Sequence, residues 1–218
     1  MKVIQKLKKK NLAAVIVLAF VLQACSDGAD QGNTANQDTA QRQTADTVAA
    51  LTDTTMIASS QFQIVIDTSD KQLLVVKGAD TVKKYPIAVG SAKYPTPIGL
   101  FRIHQVDFNP DWAPPEGDWA DGKKYEKPGS AKNPMGRARI VYQKPYSIHG
   151  TRDLKSLGEA ESHGSVRMAN DQVIELAKWI IQESGTAKPE SWYQQVLGDS
   201  TKMISVELTR AISLTNRQ

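Results

Sequence analysis

Two of the chain's three histidines, His149 and His163, lie in the stretch Tyr146–Asn170, which reads YSIHGTRDLKSLGEAESHGSVRMAN. Ser165 follows His163 with only Gly164 between them, and sixteen positions separate it from His149. A hydroxyl with a nearby imidazole is the minimum for nucleophilic catalysis, which also needs a group to orient the base. The tight Gly164-Ser165 turn can add backbone N–H donors for a developing oxyanion. Arg167, two residues on, suits a carboxylate by a bidentate contact, or an internal pair with Asp153 or Glu161. Two histidines with no neighbouring cysteine and no HExxH spacing make a poor zinc site, so neither metal nor other cofactor is expected.

For that chemistry the chain must bring positions 149 and 165 together. The alternation Tyr146-Ser147-Ile148 predicts a strand running into His149-Gly150, and the polar, glycine-containing loop 151–162 returns the chain to SHGSVRM. Upstream, Phe62, Ile64 and Ile66 alternate with Gln63, Val65 and Asp67; Thr68-Ser69-Asp70 marks a turn, and Gln72–Val76 a second strand. A third strand is expected over Val82–Val89, with Pro86 implying an edge or a bulge. Strands over Leu100–Val106, Ala138–Tyr142 and Met203–Leu208 complete a mostly β, largely antiparallel domain of the α+β class.

One main helix follows the motif. Asn170 or Asp171 is placed to cap it, Val173, Ile174, Ala177, Ile180 and Ile181 form its buried stripe, and Gly185 ends it. A shorter helix over Pro189–Leu197 turns Trp192 and Tyr193 inward. Phe108–Asn133 has no period but carries Trp112, Trp119 and Tyr125 among prolines and glycines. Such a loop is a lid or wall of a site, or a surface loop pinned by its tryptophans. His104, alone on a strand, reads as structural.

The ordered set TPIG (96–99), NPMG (133–136), IHG (148–150) and SHGSVR (162–167) resembles the signature of the YkuD-type L,D-transpeptidases. In that family an upstream His-Gly precedes a Ser-His-Gly-Cys-x-Arg/Asn run, and here Ser165 stands at the cysteine position. The resemblance implies a β-sandwich and an acyl transferase acting on peptidoglycan. The bond after the third residue of a stem peptide is attacked, and the acyl group passes to an amine or to water. It implies Ser165 as nucleophile, His149 as base, the Gly150 carbonyl as its orienter, and His163 and Gly164 lining the site. Arg167, Trp112 and Trp119 would meet the substrate. A serine must lose its proton in concert with attack, so it needs a neutral base where a thiolate would not. The alternatives are an inactive relative that binds peptidoglycan as a structural or regulatory module, and an unrelated secreted β domain or a laboratory serine substitution of an active enzyme.

Residues 1–24 combine Lys2, Lys6 and Lys8–Lys10 with an apolar run, Leu12–Leu22, too short to span a bilayer. The sequence Leu22-Gln23-Ala24-Cys25 resembles a bacterial lipobox, so residues 1–24 are expected to be a signal peptide and Cys25 a lipidated N-terminus. With Ser26 rather than an acid behind it, the expected home is the outer membrane, facing the periplasm. Residues 25–60 are polar and aperiodic, a disordered tether whose extended reach is on the order of 120 Å. Residues 61–218 form the catalytic-type domain. Cys25 is the chain's only cysteine, so this domain holds neither a disulfide nor a thiol nucleophile. The formal charge of +4 comes from the first 24 residues, whose five lysines meet no acid; subtracting five leaves −1, and no nucleic-acid partner is expected.

Overall fold

The computed structural model describes residues 62–218. The expectations for the signal, for Cys25 and for the tether lie outside the described residues.

The chain runs β1 (Phe62–Asp67), β2 (Gln72–Lys77), β3 (Asp80–Pro86), β4 (Val89–Gly90), β5 (Gly99–Phe108), β6 (Ala138–Gln143), β7 (Tyr146–Thr151), β8 (Ala160–Ser162) and β9 (Val166–Ala169). Helices α1 (Asn170–Glu183) and α2 (Glu190–Gly198) follow, and β10 (Ile204–Arg217) closes the domain. Eight strands share one sheet in the order β3-β2-β1-β10-β5-β6-β7-β9, and β4 pairs with β8 in a small second sheet. Pairing is antiparallel except at β1–β10, β4–β8 and β7–β9.

The large sheet folds over until its ends meet. Directly beyond β3, Ala88 N donates to Arg167 O on β9 at 3.0 Å, and Arg167 N returns a bond to Ala88 O at 2.9 Å. The layers share one core, in which Ile64 and Leu73 of the opening hairpin join Ile140, Ile148 and Met168 near the motif. This is the expected mostly β sandwich with its main helix after the motif. Each fully buried aliphatic side chain contributes about 2 kcal/mol.

The third strand differs from expectation. It ends at Pro86, which has no N–H for the ladder, and Ile87 N turns instead to Lys71 O at 3.0 Å. The expected 82–89 strand is therefore β3 and β4, belonging to different sheets. The final strand is longer than Met203–Leu208, because a register shift between Glu207 and Ile212 lets the ladder resume through Asn216. The return loop contains β8 and runs into β9, whose parallel partner β7 is contributed by residues that precede the loop.

In α1 the buried residues are Val173, Leu176, Ala177, Ile180 and Ile181. Leu176 takes the place expected for Ile174, which is only half-buried. Neither Asn170 nor Asp171 caps the helix: Ala169 stands at the cap without a side-chain bond, since the Asn170 amide is used elsewhere. Gly185, at φ +80°, ends it, with Thr186 N bonded to Ile181 O and Gly185 N to Gln182 O, both at 3.1 Å.

Candidate active site

Parallel pairing of β7 with β9 puts Ile148 opposite Val166 and His149 opposite Arg167. Because side chains alternate along strands, Ile148, Val166 and Met168 enter the core, while Ser147, His149, Ser165 and Arg167 share the other face. Ser165 lies one residue ahead of β9, and its Oγ accepts a hydrogen bond from Ser147 N at 3.2 Å. Ser165, His149, His163, Arg167, Trp112 and Trp119 all line one cleft of about 1460 Å³. Gly150 and Gly164, expected at the site, are buried and do not line the cleft themselves.

The His149 ring is buried, 4% exposed, and its Nδ1 lies 2.9 Å from Gly150 O. A carbonyl only accepts, so Nδ1 carries the proton and Nε2 has the free lone pair of a base. Burial pushes the imidazole down to about 4; the Arg167 and Arg139 charges add to this, and the Gly150 and Pro134 carbonyls oppose it. His149 is thus neutral across the physiological range. It makes no hydrogen bond to Ser165 among the described residues.

The SHGS turn is held from inside. Ser162 Oγ donates to Ser165 O and accepts from Gly164 N, the latter at 3.2 Å. Of the two backbone N–H groups of the Gly164-Ser165 turn, that of Gly164 is thus already engaged. Gly164 has φ +98°, and a Cβ there would stand 2.5 Å from Tyr146 Cε1, so the turn and the Tyr146 ring require a glycine.

The other motif pieces prove to be braces. Thr96 Oγ1 of TPIG accepts from Gly90 N at 2.8 Å. In NPMG, Asn133 Nδ2 donates to Pro110 O at 2.8 Å and its Oδ1 accepts from Met135 N at 2.9 Å, tying both ends of the long loop together. Asn170 Oδ1 accepts from Arg137 N at 2.8 Å, and its Nδ2 donates to Thr151 O at 3.1 Å. Asn170 thereby clamps NPMG onto the strand that carries His149.

The long loop is a wall of the cleft. The Trp119 ring stacks on His163 with centroids 4.1 Å apart and planes 19° apart, and Tyr94 packs on the same imidazole at 5.0 Å. Asp118 secures this corner, accepting from Tyr94 Oη at 2.8 Å and from Lys93 Nζ at 2.9 Å. Desolvation, with the Lys123 and Arg167 charges, holds the His163 imidazole below its usual range. Trp112 is pinned by reciprocal backbone bonds with Glu126 at 2.8 and 2.9 Å. Arg167 forms no ion pair with Asp153, Glu161 or any other acid among the described residues. His104 is exposed on β5 and does not line the cleft.

The family model YkuD, L,D-transpeptidase catalytic domain, matches residues 61–196. The chain belongs to this family. A putative L,D-transpeptidase, YkuD, of Bacillus subtilis (strain 168) is 33% identical over 117 residues, 53% of this chain and 58% of that protein. A probable L,D-transpeptidase, YbiS, of Escherichia coli (strain K12) is 30% identical over 118 residues, 50% of this chain and 39% of that protein. The match thus spans less than two thirds of either relative. Among solved structures, an L,D-transpeptidase from Mycobacterium smegmatis aligns with a TM-score of 0.46 at 16% identity, over 72% of this chain and 59% of that one.

This L,D-transpeptidase domain also carries site residues that the sequence reading passed over. Ser205 of β10, Asp107 of β5, Arg139 of β6, His149 of β7 and Arg167 of β9 are successive cross-strand neighbours, a polar row under the cleft. The one local signal was a charge inside a strand, Asp107 in VDF and Arg139 in ARIV, and only the register shows that they share a face with His149.

Proposed function

We propose that this domain is a peptidoglycan-modifying acyl transferase in which Ser165 stands in for the family's cysteine. Ser165 Oγ attacks the carbonyl of the third residue of a stem peptide as His149 Nε2 takes its proton. The new C–O ester forms, the C–N bond breaks, and the imidazolium returns the proton to the leaving amine. An amine or water then takes the acyl group by the reverse sequence. The observation that carries this reading is the placement of Ser165, one residue ahead of β9, and of a neutral, Nδ1-anchored His149 on one cleft face. The Ser147 N–H on Ser165 Oγ supports it, since it favours negative charge on that oxygen. The Arg167 side chain, which forms no ion pair among the described residues, suits a stem-peptide carboxylate, and Trp112 and Trp119 supply apolar wall area in the same cleft.

One observation favours the alternative, an inactive relative that binds peptidoglycan: Ser165 makes no hydrogen bond to His149. The mass of the full chain after incubation with a stem tetrapeptide separates the two. A gain equal to the peptide less its fourth residue, or release of that residue, is expected. Binding to isolated peptidoglycan with neither adduct nor release would establish the binding module instead.

The proposal includes anchorage by lipid on Cys25, supported by the lysine-rich start, the short apolar run and Leu22-Gln23-Ala24-Cys25. The domain would then work from the outer membrane on the periplasmic cell wall. Cys25→Ala is expected to move the protein from the membrane fraction to the soluble periplasmic fraction, and a variant that stays with the membrane would refute the anchor.

A further inference from the structure

Ser147 carries a hydroxyl that the fold buries and leaves without a partner. The residue is 5% exposed, and its Oγ makes no hydrogen bond among the described residues. The other buried serine and threonine hydroxyls are all engaged: Thr96 by Gly90 N, Thr151 by Asp153 N, Ser156 with Asp153 O, Ser162 with Ser165 O and Ser184 with Ile181 O. A buried hydroxyl left unpaired costs stability, and an alanine in its place would not. Its surroundings explain why no internal group takes it. On one side the cross-strand neighbour is Val141, which has no polar side-chain atom, and on the other the ladder that pairs Ile148 with Val166 sets Ser147 beside Ser165. The contact with Ser165 is made through the backbone, Ser147 N donating to Ser165 Oγ at 3.2 Å. The side chain lines the cleft together with Ser165 and His149.

We propose that Ser147 is a catalytic residue, its Oγ–H the side-chain donor of the oxyanion hole. The inference rests on the acyl-transfer reading, in which Ser165 attacks. As the bond from Ser165 Oγ to carbon forms, the carbonyl electron pair moves onto oxygen, and Ser147 Oγ–H donates a hydrogen bond to that charge while keeping its proton. When the pair returns, C=O is restored, the C–N bond breaks and the leaving amine takes the proton held by His149. The same donor serves the second half of the reaction, where an amine or water adds to the ester and the oxyanion forms again.

The turn alone is short of donors. The Gly164 N–H donates to Ser162 Oγ at 3.2 Å, which leaves the Ser165 N–H as the contribution of the Gly164-Ser165 pair. A second donor must come from another segment, and β7 lies directly opposite. Ser147 qualifies by position, by chemistry and by freedom: it touches the nucleophile through its N–H, it has a proton to share, and no internal acceptor competes for that proton. His149 has Nδ1 committed to Gly150 O and Nε2 kept for the proton of Ser165, so it has no donor to spare as attack begins. Arg167 shares the face but stands a ladder step further on, opposite His149 rather than Ser147.

The test is the rate at which a fluorophosphonate labels Ser165 in the full chain. Attack forms a P–O bond and expels fluoride as His149 takes the proton, and the phosphoryl oxygen lies where the oxyanion would, so labelling reports on the hole without the stem peptide. Wild type should be labelled on Ser165, Ser147→Ala about 10²-fold more slowly, and Ser147→Thr, which keeps a hydroxyl, within about tenfold of wild type. Because the lost hydroxyl has no partner and the backbone N–H stays, Ser147→Ala should unfold within about 2 °C of wild type. Where the stem tetrapeptide turns over, kcat and kcat/KM should fall together, the mark of an interaction made only in the transition state. Equal labelling of wild type and Ser147→Ala would overturn this inference and leave the acyl-transfer reading standing. A label on Ser147 itself, or a slow Ser147→Ala that has also lost several degrees of stability, would overturn it as well. Absence of both label and turnover in the wild type would overturn the two readings together.

Discussion

Ser165→Ala is expected to lower acyl transfer from a stem tetrapeptide by ~10³-fold or more, His149→Ala should do nearly the same, and the double variant should lose little beyond either. Non-additivity follows because a nucleophile and its base perform one step: once the hydroxyl is gone, the imidazole has no proton to accept. Since His149 titrates at about 4, the wild-type rate should hold from neutrality to about pH 5 and fall only below that, where the base becomes protonated. Additive losses, or a rate already halved near pH 6.5, would remove His149 from the role of base. Ser165→Cys separates the readings further. An inactive wild type that gains activity as the cysteine variant would mark an inactive relative with an intact site, and an active wild type silenced by Ser165→Ala would mark a serine enzyme. Inactivity of both, with tight binding to isolated peptidoglycan, would establish the binding module.

Gly136→Ala is expected to destabilise the domain by about 3 kcal/mol, a large share of the stability of a domain this size. Gly136 of NPMG has φ +66°, where a β-carbon is strained. That carbon would also stand 2.5 Å from the Gly150 carbonyl carbon and 2.6 Å from Gly150 Cα, with Asn170 Oδ1 pressed against it. Backbone cannot swing aside as a flexible side chain can, so the strand must shift, and the strain and overpacking costs add. The Gly150 carbonyl is what orients His149, so activity should drop with stability. Thermal unfolding should show a fall of about 10 °C. A change within about 2 °C would mean that the three segments are not locked together as described.

Much of this was legible from local pattern. Alternation over Phe62–Ile66 and Gln72–Val76, with Thr68-Ser69-Asp70 between, specifies a hairpin because side-chain direction and turn chemistry are properties of neighbouring residues. The helix after the motif was legible for the same reason, and Gly185 marked its end by its conformational freedom. The resemblance carried by TPIG, NPMG, IHG and SHGSVR pointed to the site region before any contact could be assigned.

The sequence by itself thus determined the fold class, the main helix and the group of candidate residues, and the presence of one cysteine alone, Cys25, determined that no thiol acts in the domain. Only tertiary structure decided which residues face one another. Ala88 meets Arg167, and Asp107 meets Arg139, through hydrogen bonds between segments tens of residues apart that leave no periodic trace in either segment. Asn170 is a clamp rather than a cap because Arg137 N and Thr151 O arrive from other parts of the chain with hydrogen-bonding needs that a helix end could not predict. The charge state of His149 is of the same kind. It depends on burial and on two arginines brought alongside by strand register, and register is fixed only when the whole sheet has formed.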